Sequence, residues 1–199
     1  MKGKKMGIFH NDNDFSKYLD KDLSGSQTEK NLLEAFCGES QARNKYSFFA
    51  KQARKDGYEQ IAKIFEETAN NEAEHGKIWY RLLHKGKMPS TLENLENAAS
   101  AENYEWENMY AHFASTAREE GYEKIACLFE LIRNIEKMHM QRYQRVIKHI
   151  KEKSVFQKET PVIWECAKCG YTYENESAPD KCPFCQHPKA YFFERCKNY

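Results

Sequence analysis

No stretch of this 199-residue chain is apolar over the ~18–20 residues that a bilayer-crossing helix needs, and its charges nearly cancel, at a net +1. The first absence excludes a helical membrane span. The second removes any charge-based case for binding nucleic acid, a membrane surface or another polyanion. The opening segment, Met1 to His10, carries lysines but lacks the apolar core of a secretory leader, so a cytoplasmic location is expected. No Gly-x-Gly-x-x-Gly occurs either, so the chain shows no dinucleotide-binding fingerprint of its own.

What the chain does have is cysteine, seven in all. Four form two Cys-x-x-Cys pairs, Cys166/Cys169 and Cys182/Cys185, twelve residues apart. That spacing suits a tetrahedral tetrathiolate site, and metal rather than disulfides implies a reducing interior. Zinc and iron both accept four thiolates. Cys37, Cys127 and Cys196 read as idle or buried thiols, and the sequon at Asn175 carries no weight without a secretory signal.

Upstream, residues 49–75 repeat at 113–139, an offset of 64. Phe49/Phe113, Ala53/Ala117, Arg54/Arg118, Gly57/Gly121, Phe65/Phe129, Glu72/Glu136 and His75/His139 all coincide. The unit is a helical hairpin turning at Gly57 or Gly121. Capping boxes Ser26-Gln-Thr-Glu29 and Ser90-Thr-Leu-Glu93 open the first helix of each pair. The expected helices run 28–56, 58–85, 90–120 and 122–152. One fully helical domain over 27–152 then follows an N-terminal extension (1–26) and precedes a linker (153–160) and a cysteine module (161–199).

Glu72-x-x-His75 and Glu136-x-x-His139 each place a carboxylate and an imidazole on one helix face. Two such helices, with an acid from each of two others, make a four-helix di-metal carboxylate site. The other acids are Glu39 in the first helix and Glu102 and Glu105 in the third. Such a mixed, thiolate-free set suits iron or manganese. Two divalent ions offset four charges, leaving the five glutamates nearly balanced; without them, several acids would take up protons. Glu39 lies ten residues before Phe49, whereas Glu102 lies eleven before Phe113. A π-turn between Glu102 and Phe113 is expected to absorb the extra residue.

These motifs resemble the rubrerythrin family over nearly the whole chain from about Gln27. Glu34-Ala-Phe-Cys-Gly-Glu39-Ser-Gln-Ala-Arg-Asn-Lys-Tyr46 is similar to the family's first-helix signature, and Glu102-Asn-Tyr-Glu105 with Met109-Tyr110 to that of its third helix. The tail Cys166-x-x-Cys169-Gly-Tyr through Ala178-Pro-x-x-Cys182-Pro-x-Cys185, with His187-Pro-Lys, is similar to its rubredoxin domain. The resemblance implies a mainly α fold: a ferritin-like four-helix bundle plus a small rubredoxin-like β domain that binds metal through four cysteines. It implies a peroxidase that reduces hydrogen peroxide to water in oxidative-stress defence, using two irons and one FeS4 iron, with zinc a possible substitute. Electrons would come from rubredoxin or an NAD(P)H-dependent reductase. One iron would exchange Glu105 for His75 as ligand, and Tyr46 and Tyr110 would flank the site. Cys37 departs from the small residue common there, and Gln186 from the glycine usual after the last cysteine. The alternatives are a ferroxidase or iron-handling protein, and a metal-binding scaffold carrying a zinc ribbon.

In such a bundle the second and third helices run parallel, so their connection must travel ~30 Å. From Gly86 to Thr91 the chain reaches only about 18 Å. Either the third helix starts later, near Ala98, or 27–86 of one chain pairs with 90–152 of another in a domain-swapped homodimer or larger assembly.

Overall fold

The computed structural model describes residues 14–196. The chain divides into two compact units at Pro89/Ser90, each considered by itself. Most of the extension expected over 1–26 lies outside the described residues. From Asp14 onward it forms a 3-10 turn, Ser16–Tyr18, tied back by Phe15 N–H donating to the Gly86 carbonyl at 2.7 Å. Gly86, at φ +81, leaves no room there for a side chain, since a Cβ would fall on the Ser16 backbone.

The first unit is a hairpin of α1 (Gln27–Lys55) and α2 (Glu59–Leu83). Ser26 accepts from Glu29 N–H at 3.0 Å, and Glu29 in turn accepts from Gly25 rather than from Ser26. The hairpin turns through Gly57 at φ +87, the left-handed region that glycine enters without strain. Arg54 clasps the turn, with both terminal nitrogens 2.6 Å from the Glu66 carboxylate. The second unit repeats this plan, turning at Gly121 (φ +84) with Arg118 bonded to Glu123 and Glu130.

That second hairpin contains α3 (Thr91–Tyr104), a π-helical segment (Glu105–Met109), α4 (Tyr110–Glu119) and α5 (Glu123–Lys151). The π segment lies where the extra residue requires it, and Tyr110 N–H donates to the carbonyl of Glu105, five residues back. At the start of α3, Ser90 and Glu93 bond reciprocally in a full capping box. The helix therefore begins at Thr91 and not near Ala98, which removes the late start as a source of slack.

Both hairpins pack through alanine. Ala50, Ala53, Ala62 and Ala69 are buried in the first, and Ala99, Ala114, Ala117 and Ala126 in the second. Small residues let two helices approach closely, and such a seam has little room for larger ones, Met140 of the second unit being buried beside the alanines. Phe48, Ile61 and Ile64 therefore remain exposed in the first unit, and Leu128, Leu131, Ile135 and Met138 in the second.

After α5 comes a three-stranded antiparallel sheet in the order β2-β1-β3: β1 Gln157–Cys166, β2 Thr172–Ser177 and β3 Phe192–Glu194. β1 begins inside the stretch expected to be linker, because Gln157 already pairs with Ser177. Trp164, fully buried, centres the module's core with Cys166, Ala178, Cys182 and Phe192, and its indole N–H donates to the Asn175 carbonyl at 3.0 Å.

Candidate metal centres

Helical periodicity gathers Glu39, Glu72 and His75 in the first hairpin, with ligand atoms all within 4.8 Å of one another. His75 Nδ1 lies 2.9 Å from Glu72 and 3.8 Å from Glu39. The second hairpin gathers Glu102, Glu136 and His139 in the same way, with His139 Nδ1 at 2.7 Å from Glu136 and 3.7 Å from Glu102. The two half-sites are near-copies, as the sequence repeat requires.

Glu105 stands outside the second group, at the head of the π segment and half-buried. Its charge still reaches the site. Burial, followed by Glu105, Glu136 and Glu102, raises the Tyr110 phenol above its ordinary value, so it keeps its proton. Burial and the hydrogen-bonded Glu136 carboxylate likewise raise Glu102. These acids crowd more negative charge than their surroundings compensate, and a cation would relieve that crowding. Carboxylates with an imidazole are the donor set that iron and manganese accept. Tyr46 and Tyr110 occupy equivalent places, each packed on an equivalent phenylalanine, Phe65 or Phe129.

Two neighbours of these groups escape a motif search. Trp79, one turn beyond His75, donates its indole N–H toward Glu39 at 3.4 Å. Arg133, one turn before Glu136, donates to the Trp106 carbonyl at 2.8 Å. Their i+4 and i−3 spacing from the ligand-type residues is the signal that could have marked them.

In the cysteine module the four thiols converge. Cys166 and Cys185 sulfurs lie 3.7 Å apart, and those of Cys169 and Cys182 3.6 Å apart. A tetrahedron with metal–sulfur bonds of ~2.3 Å has edges of about 3.7 Å, so the site has the size a metal needs. At Cys182 burial works upward, but the backbone amides of Cys185 and Phe184 win and hold the thiol at about 7. At Cys169 the Tyr171 amide works downward, but burial and the other sulfurs push the thiol up to about 12. Four adjacent thiols cannot all ionise unaided, whereas a bound cation allows it. Each knuckle closes on a left-handed residue: Gly170 at φ +72, and Gln186 at φ +62. Gln186 carries a strain of roughly 1–2 kcal/mol that glycine would not.

Comparison with known proteins agrees with both centres. The family model described as rubrerythrin matches residues 30–147, and that of the rubrerythrin rubredoxin-like domain matches 164–193. The chain belongs to the rubrerythrin family. It is 45% identical to rubrerythrin of Porphyromonas gingivalis, over 91% of this chain and 96% of that one. It is 44% identical to rubrerythrin-1 of Clostridium acetobutylicum, over 90% and 100%, and 46% identical to rubrerythrin of Nitratidesulfovibrio vulgaris, over 86% and 96%. The fold class is accordingly mainly α and ferritin-like, with a rubredoxin-like β module. As a rubrerythrin-family protein it carries a di-iron site and a four-cysteine metal site.

The raised Glu102 makes stability depend on pH. A raised pKa means that the folded chain binds this proton more tightly than the unfolded one. The group therefore favours folding below its ordinary value of 4.5, and that benefit is lost as pH rises through the folded value. In metal-free protein, thermal melts from pH 4 to 8 should show wild type losing stability relative to Glu102→Gln as pH rises. Iron loading should abolish that trend.

Proposed function

We propose that this chain is a non-haem peroxidase that reduces hydrogen peroxide to water in oxidative-stress defence, with Glu39, Glu72, His75, Glu102, Glu105, Glu136 and His139 holding two irons and Cys166, Cys169, Cys182 and Cys185 a third. The observation that carries the reading is the presence, in one chain, of paired carboxylate–imidazole half-sites and a tetrathiolate site. The first suits peroxide chemistry, and the second suits passage of single electrons.

When bound, the two irons supply the two electrons that cleave the O–O bond. The protein's own part is positional and protonic. Glu72 and Glu136 orient their histidines from one turn away. Trp79 steadies Glu39. Reduction of peroxide to two waters consumes two protons. Tyr110, outside the ligand set and kept protonated first of all by burial, is the group placed to hold and deliver one of them. Tyr46 flanks the first half-site on its Phe49/Phe65 platform. The electrons come from rubredoxin or an NAD(P)H-dependent reductase through the tetrathiolate centre.

The assembly is a homodimer or larger in which 27–86 of one copy completes its site with 90–152 of another. Two features support this. Each hairpin exposes large apolar side chains that a two-helix seam cannot bury. The connection is also short: α2 ends at Leu83, the backbone curls at Lys85 and Gly86, and α3 starts at Thr91. The ~18 Å from Gly86 to Thr91 is too little for an in-chain crossover along a bundle of this length.

Two measurements test this reading. In anaerobic stopped flow on reduced protein, the ferric FeS4 absorption should return faster with peroxide than with oxygen. Faster return with oxygen would favour a ferroxidase, and a colourless zinc-filled tail would favour the scaffold reading. For the assembly, a chain carrying Glu72→Gln/His75→Ala is co-refolded with one carrying Glu136→Gln/His139→Ala. Swapping places both intact halves in one of the two sites, so peroxidase activity should reappear on mixing. Persistent inactivity would contradict the swap.

A further inference from the structure

The two hairpins share one plan, but only the second accommodates an extra residue before its shared phenylalanine. The π segment Glu105–Met109 loosens the regular backbone ladder, a place where an outside donor can bond a carbonyl. Arg133, on α5, donates its Nε–H to the carbonyl of Trp106 at 2.8 Å. Four residues on, Lys137 sets its ammonium over the Trp106 ring, 4.7 Å from the centroid. α5 thus grips the second residue of the π segment at both backbone and side chain. At the repeat offset of 64, Arg133 and Lys137 correspond to Ala69 and Ala73 in the first hairpin, whose helix α1 is regular and has nothing to grip. The residues that hold the bulge are present only in the hairpin that has one.

We propose that Arg133, assisted by Lys137, is a positioning residue that pins the π segment at Glu105–Met109 and thereby fixes the direction of the Glu105 carboxylate. An extra residue in a helix anchored at both ends can be absorbed at more than one turn, and moving it by one position swings every side chain passed by roughly 100°. Glu105 heads the segment, so its aim depends on where the bulge sits. Arg133 lies on the same face of α5 as Glu136, so one helix supplies both an acid of the site and the clamp on the opposing helix. The inference rests on the proposed role of Glu105 as an iron ligand.

The test uses full-length protein reconstituted with 57Fe, comparing wild type, Glu105→Gln, Arg133→Met (similar length, no donor) and Arg133→Lys (donor kept). Mössbauer spectra of the oxidised and reduced di-iron site are recorded beside iron retention against a chelator. The expected result is that R133M shifts the same iron doublet as E105Q and holds iron roughly tenfold less tightly, while R133K restores the wild-type doublet. An R133M spectrum identical to wild type, with E105Q shifted, would overturn the inference. Unchanged doublets in E105Q would instead remove Glu105 as a ligand, a failure of the underlying reading told apart by that control, and the inference would fall with it. Arg133→Gln, whose amide falls short of the Trp106 carbonyl, carries the same contrast should R133M not fold.

Discussion

Crowded negative charge is the constraint on which the rest of the molecule depends. Two carboxylate–imidazole clusters and one cluster of four thiols each gather several metal-ligating groups within 4.8 Å. Its effects are visible in the protein itself: Glu102 and Tyr110 are pushed upward, and among the cysteines Cys182 is held low while Cys169 and Cys185 are pushed up. Metal binding therefore contributes to folding as well as to chemistry. Backbone amides aimed at the sulfurs and Trp79 aimed at Glu39 are already arranged for the charged state.

The hairpin design follows from the same requirement. Bringing an acid on one helix to within reach of a Glu-x-x-His on the next needs close helix approach, and the alanine seams provide it. Close approach leaves little interior for larger apolar residues, and many of them stay exposed within each hairpin.

Much of this was legible in the sequence because each signal was local or repeated. Glycine at the turns, the Ser90–Glu93 box and the two Glu-x-x-His faces depend on spacing within one helix, and spacing is what a sequence displays. The extra residue before Phe113 was legible because the other repeat supplies a ruler. Less legible were features that join separate elements. Nothing local ties Arg133 to the Trp106 carbonyl or Trp79 to Glu39, and only the packed hairpin shows them. The start of β1 was misplaced because Gln157–Pro161 is polar and proline-bearing, yet it pairs irregularly with β2 across a register shift. Glu105 lies between these cases: its helix face was readable, but its distance from the other acids depends on the bulge.

The proposed function requires that the two half-sites together hold a pair of irons. Anomalous diffraction at the iron edge from crystals of the loaded protein tests it most directly. The account predicts three iron peaks per chain: one within the tetrahedron of cysteine sulfurs, and two roughly 3.5–4 Å apart, bounded by Glu39, Glu72 and His75 on one side and Glu102, Glu136 and His139 on the other. A single isolated peak on each hairpin, or iron in the cysteine site alone, would contradict it.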